Sequence, residues 1–131
     1  MCSSDLTTKR PRGIAYMDLP ALRFYAQVGR LTHLVFTHMD LVYPKVSIKV
    51  CTHYTLKGKK VAYRPDQEFL NTVTPHYIEF APWDRAKIQQ AKSKKELPKE
   101  AVAYLNFISG ELNAKVWMIT TGPQREQSLW W

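Results

Sequence analysis

Ala101, Tyr104, Leu105, Ile108 and Leu112 recur at i, i+3, i+4, i+7 and i+11, and no other feature constrains the fold of this chain as tightly. The spacing sets five apolar side chains along one face of an α-helix. Leu97-Pro98-Lys99-Glu100 begins that helix, with proline near the start, where its missing N–H is tolerated, and Asn113 follows near the expected end. Lys115 to Thr120 then reads as a strand, and Thr121-Gly122-Pro123 as a loop.

Upstream, Asp18 is a good N-cap and Pro20 fits the first turn it opens. Leu19, Leu22, Tyr25 and Ala26 return at helical spacing, and Gly29 is a natural terminator. Leu31 to Phe36 predicts a short buried strand that turns polar at Thr37-His38-Met39-Asp40. Val46 to Leu56 predicts another, with Val46, Ile48 and Val50 on one face. Lys57-Gly58-Lys59 marks a hairpin turn, Val61 to Arg64 a return strand, and His76 to Phe80 a further strand. Residues 1–16, polar and without a period, predict a loop. Helices alternate with strands, so the fold class is α/β, a mixed sheet with helices packed on it.

At 131 residues the chain is at most one domain. Its apolar runs are only a few residues long, far short of the roughly 20 a membrane span needs. No secretory leader opens it, and two cysteines make no disulfide framework, so a cytoplasmic setting is expected. The formal net charge of +8 suits nucleic acid, but equally small phosphorylated or carboxylated ligands. The charges fall in three places: Lys9-Arg10-Pro11-Arg12, Lys57 to Lys60, and Lys87 to Lys99. The last two read as solvated faces, the first as a site.

Three ordered segments carry a family resemblance. Thr7-Thr8-Lys9-Arg10-Pro11-Arg12, followed by Tyr16-Met17-Asp18 and Ala21-Leu22-Arg23, is similar to the Thr-Thr-Gly-Arg-x-Arg loop and following helix of adenylosuccinate synthetases. Leu34-Val35-Phe36-Thr37-His38-Met39-Asp40 resembles the family's Leu-Thr-Lys-x-Asp strand and loop. Glu96-Leu97-Pro98 through Ala101, Tyr104 and Phe107-Ile108 to Thr120-Thr121-Gly122-Pro123 resembles the third. Lys49-Val50-Cys51-Thr52-His53-Tyr54 and Pro75-His76-Tyr77 fit between them. Each motif alone is weak, but their order over residues 7 to about 128 is specific.

The resemblance implies the C-terminal part of a P-loop-type nucleotide-binding ligase, which couples IMP to L-aspartate using GTP. IMP is phosphorylated on its 6-oxygen, and the aspartate amine then displaces the phosphate. It further implies Mg²⁺, a cytoplasmic homodimer when full length, and a glycine-rich phosphate loop, catalytic Asp and catalytic His in the N-terminal part. No Gly-x-x-x-x-Gly-Lys run occurs in this sequence, so no catalytic residue is assigned and the chain alone is expected to be inactive. Cys2-Ser3-Ser4-Asp5-Leu6 matches a translated frame of a common sequencing adapter. Residues 1–6 are therefore expected to be an artefact, and residues 7–131 the C-terminal portion of the ligase-like domain.

Carried over residue by residue, Thr7, Thr8, Lys9, Arg10, Pro11 and Arg12 form the aspartate and IMP loop, with Arg12 also reaching GTP. Two guanidinium forks flanking Pro11 suit carboxylate and phosphate oxygens. Lys9 replaces a family glycine and removes backbone freedom. His38, Met39 and Asp40 would bind GTP, with Thr120, Thr121 and Gly122 completing the base pocket. An ionised Asp40 accepts from guanine N1–H and the N2 amine, whereas adenine offers an acceptor at N1 and no N2 amine. His38 stands where the family usually has a lysine that covers the base. On pattern alone, Thr121-Gly122-Pro123 is a strand end and turn.

His33, His53 and His76 lack metal-ligand spacing and read as structural. Cys51 reads as core rather than nucleophile. Two alternatives stay open: the viral branch of the same family, which uses dGMP, and a small basic nucleic-acid-binding module. The module would need aromatics interleaved with basic residues on one sheet face, and Tyr54, Tyr63 and Tyr77 are not fixed on one face by the sequence.

Overall fold

The structure is a computed structural model that describes residues 15–131. The expected 1–6 segment and the Thr7–Arg12 loop lie outside the described residues. The elements are β1 (Met17–Asp18), α1 (Leu19–Val28), β2 (His33–Phe36), β3 (Ile48–Leu56), β4 (Lys59–Val61) and α2 (Gln67–Thr72). They continue through β5 (Thr74–Phe80), α3 (Arg85–Gln90), α4 (Lys99–Leu112), β6 (Lys115–Thr120) and β7 (Ser128–Trp130).

The apolar stripe behaves as its spacing requires. Ala101, Tyr104, Leu105, Ile108 and Leu112 are the buried residues of α4. The helix ends at Asn113, which takes the left-handed conformation at φ 49° and directs its N–H back to Gly110 and Ser109 carbonyls. The chain then drops into β6, whose Val116 and Ile119 face the same core.

At the other end, Asp18 caps α1 by accepting from Ala21 N–H at 3.2 Å, with Pro20 in the first turn. The buried Tyr54 hydroxyl donates to the second oxygen of the same carboxylate. Burial, then the bond to Asp18, pushes the Tyr54 phenol well above its ordinary range. One side chain thus starts a helix and ties it to β3. Gly29 ends α1 in a right-handed conformation, and the left-handed residue is its neighbour Arg30, at φ 48°.

The α/β class holds, with the strands dividing into two mixed sheets. In the first, β3 pairs with β5 along one edge and with β1 and β4 along the other, parallel only to β1. In the second, β6 is central, parallel to β2 and antiparallel to β7.

Several expectations are corrected. The Leu31–Phe36 strand is not buried along its length: β2 is an edge strand in which Phe36 is buried, Leu34 half-buried and Val35 exposed. Val46 lies outside β3 and is exposed. The return strand ends at Val61, short of Arg64. Helices α2 and α3, each capped by an aspartate, Asp66 and Asp84, were not predicted, and neither was β7.

If α4 is the spine of the core, Leu105→Ala, at a side chain with no exposed surface, costs about 2–5 kcal/mol in chemical denaturation. Asn106→Ala, on the exposed face, stays within about 0.5 kcal/mol.

Candidate functional site

Parallel pairing decides where the site lies. Phe36 is in register with Ile119, so β2 and β6 finish side by side and their following loops, Thr37–Asp40 and Thr121–Pro123, leave from the same end. Open α/β sheets bind ligands at such carboxyl ends.

The two loops are joined directly. Met39 N–H donates to the Thr120 carbonyl at 3.0 Å, and His38 N–H to Thr120 Oγ1 at 3.1 Å. His38 is left-handed, at φ 58°, and its carbonyl accepts from Leu41 N–H at 3.0 Å, so a tight turn presents Asp40. Met39 has its side chain in the core, and its carbonyl accepts the indole N–H of buried Trp83 at 2.6 Å. The loop is therefore held from β6 on one side and from the segment before α3 on the other.

Asp40 is only 5 % exposed, and a carboxylate so buried needs partners. Gln89 Nε2 donates to its Oδ2 at 3.2 Å. Arg85 Nη2 stands 3.9 Å from the same oxygen. Both come from α3, whose residue pattern is too short to announce a helix. The available signal was Asp84, which caps the helix by accepting from Lys87 N–H at 3.0 Å. Arg85 and Gln89 are one helical turn apart and so share a face.

On the facing loop, Thr121 is fully buried. Its N–H and hydroxyl both donate to the Gln127 carbonyl, at 2.8 and 3.2 Å. Gly122 sits against the Gln127 side chain so closely that a Cβ would fall 2.2 Å from Oε1. That oxygen also accepts from Gln124 N–H at 3.0 Å, closing the loop back on itself. His38, Met39 and Asp40 are thus brought together with Thr120, Thr121 and Gly122, while Thr7 to Arg12 lie outside the described residues.

The other singled-out residues sit elsewhere. Cys51 is buried, and burial first, then the nearby Asp18 charge, pushes its thiol up; this is a core cysteine. Across β3 and β5, His53 and His76 stack with ring centroids 4.6 Å apart and planes 4° from parallel. Partial burial, then His76 and Lys60, lowers the His53 pKa. Tyr54 is buried whereas Tyr77 is exposed, so they do not form one stacking platform. Trp130 is exposed, with its ring 5.4 Å from that of exposed Trp117. Trp131 instead packs under Lys94, whose Nζ lies 3.8 Å from the ring centroid. Among the described residues no three His, Cys, Asp or Glu side chains converge to hold a metal ion, and no helix is long and apolar enough to cross a membrane.

Comparison with known proteins sets this geometry in a family. The family model described as adenylosuccinate synthetase matches residues 3–129. The adenylosuccinate synthetase of Aquifex aeolicus is 37% identical over 125 residues, covering 95% of this chain and 29% of the relative. That of Flavobacterium psychrophilum is 33% identical over 122 residues, covering 93% and 29%. The solved structure of fully ligated adenylosuccinate synthetase from Plasmodium falciparum superposes with a TM-score of 0.88 at 25% identity, over 95% of this chain and 30% of that one. The chain spans 29% of the length of the curated relatives quoted.

Trp83→Phe removes the only donor seen on the Met39 carbonyl among the described residues and leaves a buried acceptor open. It costs about 1–3 kcal/mol in a denaturant melt. The His53 pair predicts a pH dependence with a defined sign. The folded pKa lies below the ordinary 6.5, so the unfolded chain takes up the proton first as pH falls. Stability therefore declines below about pH 6.5 and is retained above it. His53→Asn flattens that slope. The lowered Glu79 and Glu96 carboxyls act only below their ordinary 4.5, a separate window.

Proposed function

The chain belongs to the adenylosuccinate synthetase family, and we propose that it is the part of such a ligase that recognises the guanine base and carries the aspartate loop. The whole enzyme joins IMP to L-aspartate with GTP as the phosphoryl donor. One observation carries the reading: the loop that presents Asp40 is hydrogen-bonded through the His38 and Met39 N–H groups to Thr120, at the carboxyl ends of two parallel strands.

In this reading Asp40 accepts from guanine N1–H and the N2 amine together, a pair of contacts in the plane of the base. Adenine turns an acceptor toward the same carboxylate and is repelled, so the site discriminates by charge as well as by shape. Gly122 belongs to the same wall, and its missing Cβ leaves room for the Gln127 side chain that closes the loop. His38, exposed beside this wall, supplies an imidazole face where its relatives' lysine stem would lie.

Arg10 and Arg12 are proposed to hold the aspartate carboxylates and phosphate oxygens through paired N–H bonds. The aspartate amine attacks C6 of 6-phosphoryl-IMP, the C6–O bond breaks, and phosphate leaves. The Mg²⁺ expected of such a ligase has no ligand set among the described residues. The glycine-rich loop that cradles phosphate in such enzymes is not in this sequence, so the isolated chain is proposed to be inactive, as a cradle of preorganised donors is what stabilises a transferring phosphoryl group.

Asp40→Asn tests the base assignment. The amide keeps an acceptor for N1–H but turns a donor where the guanine amine sits, which suits the 2-oxygen of xanthine. GTP affinity falls by about 1.5–3 kcal/mol and XTP becomes the better ligand in competition binding. Unchanged preference for GTP contradicts the assignment. Incubated with IMP, aspartate, GTP and Mg²⁺, the 131-residue chain forms no adenylosuccinate by chromatography, and product formation contradicts the proposed inactivity.

A further inference from the structure

Gln89 was singled out neither by the sequence nor by the family resemblance, yet it makes the one side-chain hydrogen bond seen on Asp40 among the described residues, 3.2 Å from Nε2 to Oδ2. We propose that Gln89 is a positioning residue for guanine recognition: it fixes the plane of the Asp40 carboxylate so that the base meets two oxygens already aligned. This rests on the guanine reading of Asp40.

The support begins with α3 itself. The helix is anchored by Ile88, which has no exposed surface, is capped by Asp84, and follows Trp83, whose indole is bonded to the Met39 carbonyl. Its distance from the Asp40 loop is therefore set by packing and not by the Gln89 contact. A carboxylate has two oxygens with roughly four acceptor sites, so Oδ2 can keep Gln89 and still accept from a base, while Oδ1 takes the second donor. Because Asp40 offers only acceptors when ionised, the amide must turn its nitrogen to it, which leaves no choice of orientation.

Arg85 differs from Gln89 in the respect that matters. At 3.9 Å from Oδ2 it lies beyond hydrogen-bond reach, and its side chain is 58% exposed, so it can swing into solvent when a base arrives. Gln89 is half-buried and stays. The neutral amide restrains the carboxylate without neutralising it, and a carboxylate already aligned forfeits less orientational freedom on binding.

The test is an NMR titration of the ¹⁵N-labelled 131-residue chain with GTP and with ITP, which lacks the N2 amine, since that method reads affinities into the millimolar range. The wild-type chain prefers GTP about 5- to 30-fold, the value of one or two well-made hydrogen bonds. Gln89→Ala reduces the ratio severalfold. Gln89→Glu, of equal size but with a carboxylate facing Asp40, reduces it further, with amide spectra confirming that both variants keep the fold. A Gln89→Glu chain that matches wild type shows that Gln89 only fills space, and overturns the proposal while leaving the guanine reading intact. A wild-type chain with no preference for GTP over ITP overturns the guanine reading, and the positioning role falls with it.

Discussion

The parallel register of β2 on β6 is the constraint on which the candidate site depends. Phe36 beside Ile119 puts two loops, more than eighty residues apart in sequence, at one end of one small sheet. The hydrogen bonds from His38 and Met39 to Thr120 follow from that register. A one-residue slip would turn Phe36 from the core to solvent and pull the His38–Asp40 loop off Thr120, so burial of Phe36 and geometry of the site are the same fact.

A second element converts proximity into a defined surface. The segment from Trp83 through α3 closes over the Asp40 loop, with an indole on the Met39 carbonyl and an amide on the Asp40 carboxylate. Each contact satisfies a polar group that the fold has taken out of water, and leaving such a group unmet costs more than the bond itself adds. The same economy appears at Asp18, where one carboxylate caps α1 and receives the Tyr54 hydroxyl. In both places an aspartate at the edge of an element joins two parts of the chain.

What was legible in the sequence was local. The α4 stripe, the bounds of β6, the Asp18 cap and the Gly58 hairpin were all readable because period, capping and turn chemistry act over a few residues. Helices α2 and α3, at six residues each, are too short to show a period, and only their capping aspartates betray them. The burial of β2 was overestimated because apolar content does not reveal that a strand lies at an edge. The candidate site was proposed from its motifs rather than from physics: nothing local in Asp40 tells that Gln89 and Arg85, nearly fifty residues on, will meet it. Nor does Gly122 announce that Gln127 packs where a Cβ would be.

A crystal structure of the chain with a guanine nucleotide bound is the most direct check on the central claim, that the two loops form one guanine-recognising wall. The account predicts the base edge in plane with the Asp40 carboxylate, its N1 and N2 both within hydrogen-bond reach, Gly122 in van der Waals contact, and Arg85 turned outward. A base seated elsewhere, with Arg85 and Gln89 still covering Asp40, would contradict it.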